Sequence, residues 1–217
     1  LLDEGLTPKG KPLIHSLMVR DHYEALRFVI TSADHKKPIS TELIQQINAH
    51  VMRQTGTQYH TVLGTVDSSK GAFRKGNVSA GGSYFPSYQK VEDLTKELVT
   101  AINKKLEDSP TVQQQLELSF AAHFNLVSIH PFYDGNGRTS RLLMNYLQLY
   151  YGLPMAIVFK EDKGDYFNAL TSSRKEESLS PFYVFMWQQY HKFLQQQIQE
   201  YETVTKKMGM GGKNLLF

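Results

Sequence analysis

The chain has 217 residues, 41% of them hydrophobic and 21% charged, which suits one large globular domain able to bury a core. It contains no cysteine, so disulfide scaffolds and thiolate metal sites are excluded. A net charge of +3 and a pI near 8.9, without a polybasic block, do not indicate a nucleic-acid partner.

No apolar stretch approaches membrane-spanning length and no signal-peptide pattern is present, so the reading is of a cytoplasmic protein without a membrane partner. The first residue is Leu rather than Met, which we read as the start of an interior segment of a longer chain. In chain order, "LIHSLMVRDHYEALRFVI" sets Leu13, Leu17, Tyr23, Leu26 and Ile30 near one face and predicts an amphipathic helix. "ISTELIQQINAHVMRQ" predicts a second helix with Ser40 as its N-cap. The texture then changes over residues 54–88, which are rich in Gly, Ser and Thr with short β-like pieces. Within them "FRKGNVSAGGSYF" predicts a hairpin with Gly81 and Gly82 near its turn. Helical patterning resumes at "QKVEDLTKELVTAINKKLE", "TVQQQLELSFAAHFNLVSI" and "RTSRLLMNYLQLYYG". A last helix runs from "LSPFYVF" with Pro181 in its first turn, and "GMGGKNLLF" reads as a flexible tail. The expected fold is mainly α with one small β insertion.

The segment "HPFYDGNGRTSR", residues 130–141, does not read as packing. Pro131 disfavours the α conformation at His130, so the preceding helix ends with an imidazole at its exit. Gly135 and Gly137 flank Asn136 and permit successive backbone N–H groups to face one concavity. A new helix starts near Gly137 or Arg138, and its free N–H groups and positive dipole end form an anion pocket. Arg138 and Arg141 project from nearly one face of that first turn, where each opposes the dipole by roughly 0.3–1 kcal/mol. A polyphosphate between them reverses that penalty. Asp134 beside phosphates calls for a divalent cation, held by one carboxylate with phosphate oxygens and water. Phe132 is expected under the loop as a structural residue, together with Tyr133.

The stretch closely resembles the signature of Fic-domain (Fido) proteins, H-P-F-x-D/E-G-N-G-R-x-x-R, and meets every fixed position. The resemblance covers approximately residues 40–190. It implies a Fic helical bundle with a small β-hairpin flap over the active site. The expected organisation is residues 1–39 as an N-terminal helical segment with an inhibitory motif, 40–190 as the Fic core, and 191–217 as the helix end and tail. The implied activity is protein adenylylation, the transfer of AMP from ATP to a hydroxyl side chain of a target protein. By this resemblance His130 is the catalytic base, and its ordinary pKa of about 6.5 suits that task. Asp134 holds Mg²⁺ (or Mn²⁺), and Gly135, Asn136 and Gly137 line the α-phosphate. Arg138 reaches the β-phosphate and Arg141 the γ-phosphate, with Thr139 and Ser140 in the same nucleotide-binding turn. Ala80, Gly81, Gly82 and Ser83 form the flap that covers the nucleotide and docks the target by strand addition. Tyr166 in "GDYFNAL" stands where the family brings an aromatic residue to adenine.

Doc-type toxins of the same superfamily carry Lys where Gly137 stands and act as kinases, so Gly137 favours adenylylation. The opening "LLDEGLT" resembles the end of the family's inhibitory motif, with Glu4 set against the second arginine. The implied partners are ATP and an unidentified protein target, and a homodimer is compatible with the family. Two alternatives stand beside this reading: a de-AMPylating Fic enzyme, and a catalytically weak nucleotide-binding interaction module.

Overall fold

A computed structural model describes residues 12–106, 108 and 111–207. Glu4 and the tail from residue 208 lie outside the described residues. The described chain forms two compact units, one ending at Met155 and the other starting at Ala156.

The first unit is a helical bundle of α1 (Leu13–Asp34), α2 (Thr41–Val51), α3 (Val91–Leu106), α4 (Val112–Ile129) and α5 (Asn136–Tyr150). Helix α5 packs against α1, α2 and α4, while α3 lies on α4 and touches α2. Ile44, Ile47, Val51, Phe132, Leu142, Leu143, Tyr146 and Leu147 are buried together in its core. Caps set two of the starts. Ser40 Oγ accepts from the Leu43 N–H at 3.1 Å. Thr111 and Gln114 form a reciprocal capping box at the start of α4.

Helix α1 occupies the expected residues, and Leu26 of the expected face packs partly buried against the core, but most of that face stays uncovered. Leu13, Tyr23 and Ile30 are exposed, whereas Asp21, Ala25, Val29, Ser32 and Ala33 are buried. The small side chains of Ala25, Ser32 and Ala33 let α1 approach α5 and α2 closely, and hydrophobicity alone gives no sign of that preference. The buried Asp21 carboxylate fixes the fit, because its Oδ2 accepts from the Gln54 and Thr55 N–H groups and the Thr55 hydroxyl.

Between α2 and α3 stand two hairpins. In the first, β1 (Gln58–Thr61) pairs antiparallel with β2 (Gly64–Asp67). In the second, β3 (Ser79–Ala80) pairs with β4 (Ser83–Tyr84), with Ala80 opposite Ser83. Gly81 and Gly82 form its turn with φ of 56° and 76°, the pair of positive values that a tight hairpin turn demands.

The second unit holds α6 (Lys163–Lys175) and α7 (Ser180–Lys207), packed on each other. Pro181 is in the first turn of α7, as expected. Tyr166, Phe182 and Phe185 are buried, with the Tyr166 ring 6.0 Å from that of Phe185 and 6.3 Å from that of Phe182.

Candidate functional site

The site grows from the turn between α4 and α5. Helix α4 ends at Ile129, and His130 takes the left-handed conformation at φ 54°, ψ 58°, its N–H closing on the Leu126 carbonyl. That geometry usually belongs to glycine and costs a residue with a side chain about 1–2 kcal/mol. It lifts the half-buried imidazole off the helix axis. His130 Nδ1 lies 3.3 Å from the Val127 carbonyl, and a carbonyl only accepts. Nδ1 therefore carries the ring proton, which leaves the lone pair on Nε2.

The rest of the turn is closed from within. The Asn136 carboxamide accepts from the Phe132 N–H at 2.9 Å and donates to the Phe132 carbonyl at 2.8 Å. Phe132 is 1% exposed beneath the loop, as its sequence position suggests. Gly135 caps α5 with φ 78°. A Cβ there would stand 2.8 Å from Asn48 Nδ2 and 3.0 Å from Met52 Sδ, so conformation and space both require glycine. Asn48, buried on α2, donates to the Asp134 carbonyl and to Thr139 Oγ1, both at 3.1 Å. Of the two glycines that flank Asn136, Gly135 takes a positive φ and Gly137 is an ordinary helical residue in the first turn of α5.

Helix geometry leaves the Asn136, Gly137 and Arg138 N–H groups without intrahelical acceptors. Thr139 already donates to the Gly135 carbonyl at 2.8 Å, and the Ser140 hydroxyl to the Gly137 carbonyl at 3.2 Å. Both Thr139 and Ser140 are fully buried.

Arg138 is balanced more locally than the sequence implies. Its Nη1 donates to the Val51 carbonyl at 3.2 Å, at the negative end of α2, and Nη2 lies 3.9 Å from Asp134 Oδ1. Burial lowers its pKa while Asp134 and Asp21 oppose the shift. Among the described residues, Arg141 has no carboxylate within ion-pair distance. The groups that feel its charge include two histidines. Burial first, then Arg141, pushes His123 down to about 3, against a hydrogen bond with the Ser140 backbone. Burial, then Arg141 and Arg138, lowers His22. A pair of guanidiniums bordered by histidines held neutral is a receptive place for an anion.

The flap hairpin is tied to the same turn. The Phe85 ring stacks on the His130 imidazole at 3.8 Å between centroids, with 16° between planes. Ala80, Gly81 and Gly82 are exposed and Ser83 is partly so. Tyr133 stacks on Tyr59 of β1 at 4.2 Å. Asp134 points a largely exposed carboxylate outward, and its Oδ1 accepts from the Gly135 N–H. No cluster of three acidic, histidine or cysteine side chains able to hold a metal occurs among the described residues. One carboxylate fits a cation held mainly by phosphate and water, and does not make a protein-only metal site.

Asn48, Arg74 and Phe85 escape the sequence reading although all three touch the turn. A polar residue at position 48 inside the apolar stripe Leu43, Ile44, Ile47, Val51 is a signal that was available for the first. The other two carry no such mark.

Residues 38–148, about half of the chain, match the model of the Fic/DOC family, and the chain belongs to that family. The protein adenylyltransferases Fic of Drosophila sechellia and Drosophila melanogaster are 35% identical over 151 residues, which are 69% of this chain and 30% of theirs. The chain thus spans about 30% of the length of the curated relatives it matches. Among solved structures, Fic-1 of C. elegans (residues 134–508) superimposes with a TM-score of 0.73 at 25% identity, over 94% of this chain and 57% of that one. A Fic-domain-containing signalling protein from Bacteroides thetaiotaomicron gives 0.70 at 26% identity, over 83% and 65%. No described helix is long and apolar enough to cross a membrane.

Proposed function

We propose that this chain is a protein adenylyltransferase that moves AMP from ATP to a hydroxyl side chain of a target protein, and that Glu4 restrains it. The observation that carries the reading is His130, with its proton held on Nδ1 by Val127, standing at the turn that opens the N-terminus of α5. The names of the curated relatives at 35% identity support the activity.

The triphosphate lies on the Asn136, Gly137 and Arg138 N–H groups, with Arg138 toward the β-phosphate and Arg141 toward the γ-phosphate. His130 Nε2 accepts the proton of the target hydroxyl as its oxygen bonds to the α-phosphorus. The bond from that phosphorus to the bridging oxygen breaks, and pyrophosphate leaves. Asp134 would hold Mg²⁺ (or Mn²⁺), which supplies charge neutralisation for the leaving group. A Cβ at Gly137 would lie 3.6 Å from Arg141 Nη1, so a long side chain there would crowd the terminal phosphate. This supports the ordinary nucleotide pose over a kinase-like one. The flap residues Ala80, Gly81, Gly82 and Ser83 present an exposed edge for an extended target segment. Tyr166 is assigned to the adenine by resemblance, and it is a buried residue on α6. Arg141, lacking an acid among the described residues, is the natural partner for Glu4.

The test is mass spectrometry of the Glu4→Gly protein after incubation with ATP and Mg²⁺. An added adenylate is expected, raised over the parent and abolished by His130→Ala with ATP binding retained. Equal trace labelling in all three proteins would overturn catalysis and leave a nucleotide-binding module.

A further inference from the structure

Arg74 is 2% exposed, and among the described residues it has no carboxylate within ion-pair distance. A guanidinium in that position is costly unless its donors are met, and here main-chain carbonyls meet them. Nε donates to the His130 carbonyl at 2.8 Å, Nη1 to the Gly76 carbonyl at 2.9 Å, and Nη2 to the Pro86 carbonyl. Its own N–H donates to the Pro131 carbonyl at 3.0 Å. Burial lowers its pKa, partly offset by Tyr133.

Those acceptors are not scattered. Gly76 and Pro86 are the two feet of the flap, and its strands are only two residues long each. A hairpin so short does not hold its own shape in water and needs closure from outside. The third acceptor belongs to the main chain of the base. Phe85, the residue before Pro86, stacks on the ring of that same His130. His130 is thus gripped twice from the flap, once through its carbonyl and once through its imidazole, and Arg74 joins both grips.

We infer that Arg74 is a positioning residue: its guanidinium locks the feet of the flap to the His130 backbone, so that the flap and the base are set as one rigid unit. A target segment lying on the flap is then placed relative to the imidazole by construction. The planar fork is what the role demands, since it sends donors in separate fixed directions. Lysine keeps the charge but radiates from one nitrogen and cannot reach carbonyls laid out around a plane. The inference rests on His130 being the base and on the flap being the docking edge.

The experiment compares Arg74→Lys with its parent in the Glu4→Gly background. For an orienting role, kcat measured well below the variant's thermal midpoint falls at least about thirtyfold while KM for ATP stays within about threefold. Phe85→Leu, which keeps the core and removes the stacked ring, lowers kcat about tenfold in the same pattern. It serves as the second arm if Arg74→Lys does not fold. A kcat within threefold of the parent, or a loss of ATP binding equal to the loss of kcat, overturns the inference. Amide exchange without nucleotide decides it independently of activity. The His130 N–H, which bonds to Leu126 at 3.0 Å, and the amides of residues 79–84 are expected to exchange faster together in Arg74→Lys, by roughly tenfold or more. Exchange that stays at parental rates, or that rises at the flap alone, sinks the coupling. A parent that transfers no AMP but shows coupled exchange would sink the adenylyltransferase reading instead.

Discussion

Gly135 condenses several demands into one position. Its φ of 78° is foreign to residues with a Cβ, and the space such an atom would take is occupied by Asn48 and Met52. Gly135→Ala is expected to lose about 3 kcal/mol of stability, the sum of the left-handed penalty and the forced contact. Urea unfolding followed by circular dichroism measures the loss, and a change below 1 kcal/mol would contradict the packing described. The close approach of Asn48 and Met52 from α2 was not legible in the sequence, whereas the need for glycine in this turn was, because the turn lies within twelve consecutive residues. The Asn136 carboxamide was less so. Its residue type suits a phosphate, yet its two hydrogen bonds go to Phe132 and hold the turn closed. Arg74 was not legible at all. Its partners at 76, 86, 130 and 131 come together only after folding, and in the sequence it is one arginine among other charges.

Elements were easier to find than to orient. The helices from Thr41 to Tyr150 follow their periodicity, whereas the large apolar residues that the pattern gathers near one face of α1 are mostly exposed and small ones around Asp21 are buried. Pattern counts hydrophobicity and cannot see the closeness of a neighbouring helix. Helix α6, with a weakly apolar composition, was seen only as the stretch around Tyr166. Asp21 provides the test of how α1 is seated. Asp21→Ala strands the Gln54 and Thr55 donors and is expected to destabilise by about 3 kcal/mol, with Asp21→Asn losing about half as much. Parental stability in Asp21→Ala would show that α1 is held elsewhere. The capping box offers a milder contrast. Thr111→Ala removes one acceptor at the far end of α4 and should cost about 1 kcal/mol of unfolding free energy measured in urea, with AMP transfer unaltered.

For the molecule as a whole, the histidines around the arginine pair set its response to acid. His123 has its folded pKa pushed down to about 3, whereas unfolded it titrates near 6.5. His22 and His50 are also lowered, chiefly by burial. A depressed folded pKa means that the unfolded chain binds the proton first. The contribution is therefore intact above about pH 6.5 and is lost as pH falls toward 3. Denaturation midpoints taken between pH 7.5 and 5 should decline, with His123 alone adding a slope of about 1.4 kcal/mol per pH unit below its unfolded pKa. His123→Gln should flatten that slope, and an unchanged slope would mean that His123 accepts a proton inside the fold. The left-handed turn at His130 has a consequence of a different kind. Its backbone suits glycine or asparagine more readily than a larger side chain, and the imidazole is held there by the Val127 carbonyl at Nδ1 and by the Phe85 ring stacked on it. Exchanging His130 for glycine would relieve the main chain and in the same stroke leave the Phe85 ring without its stacking partner, so the fold gains little by giving the imidazole up.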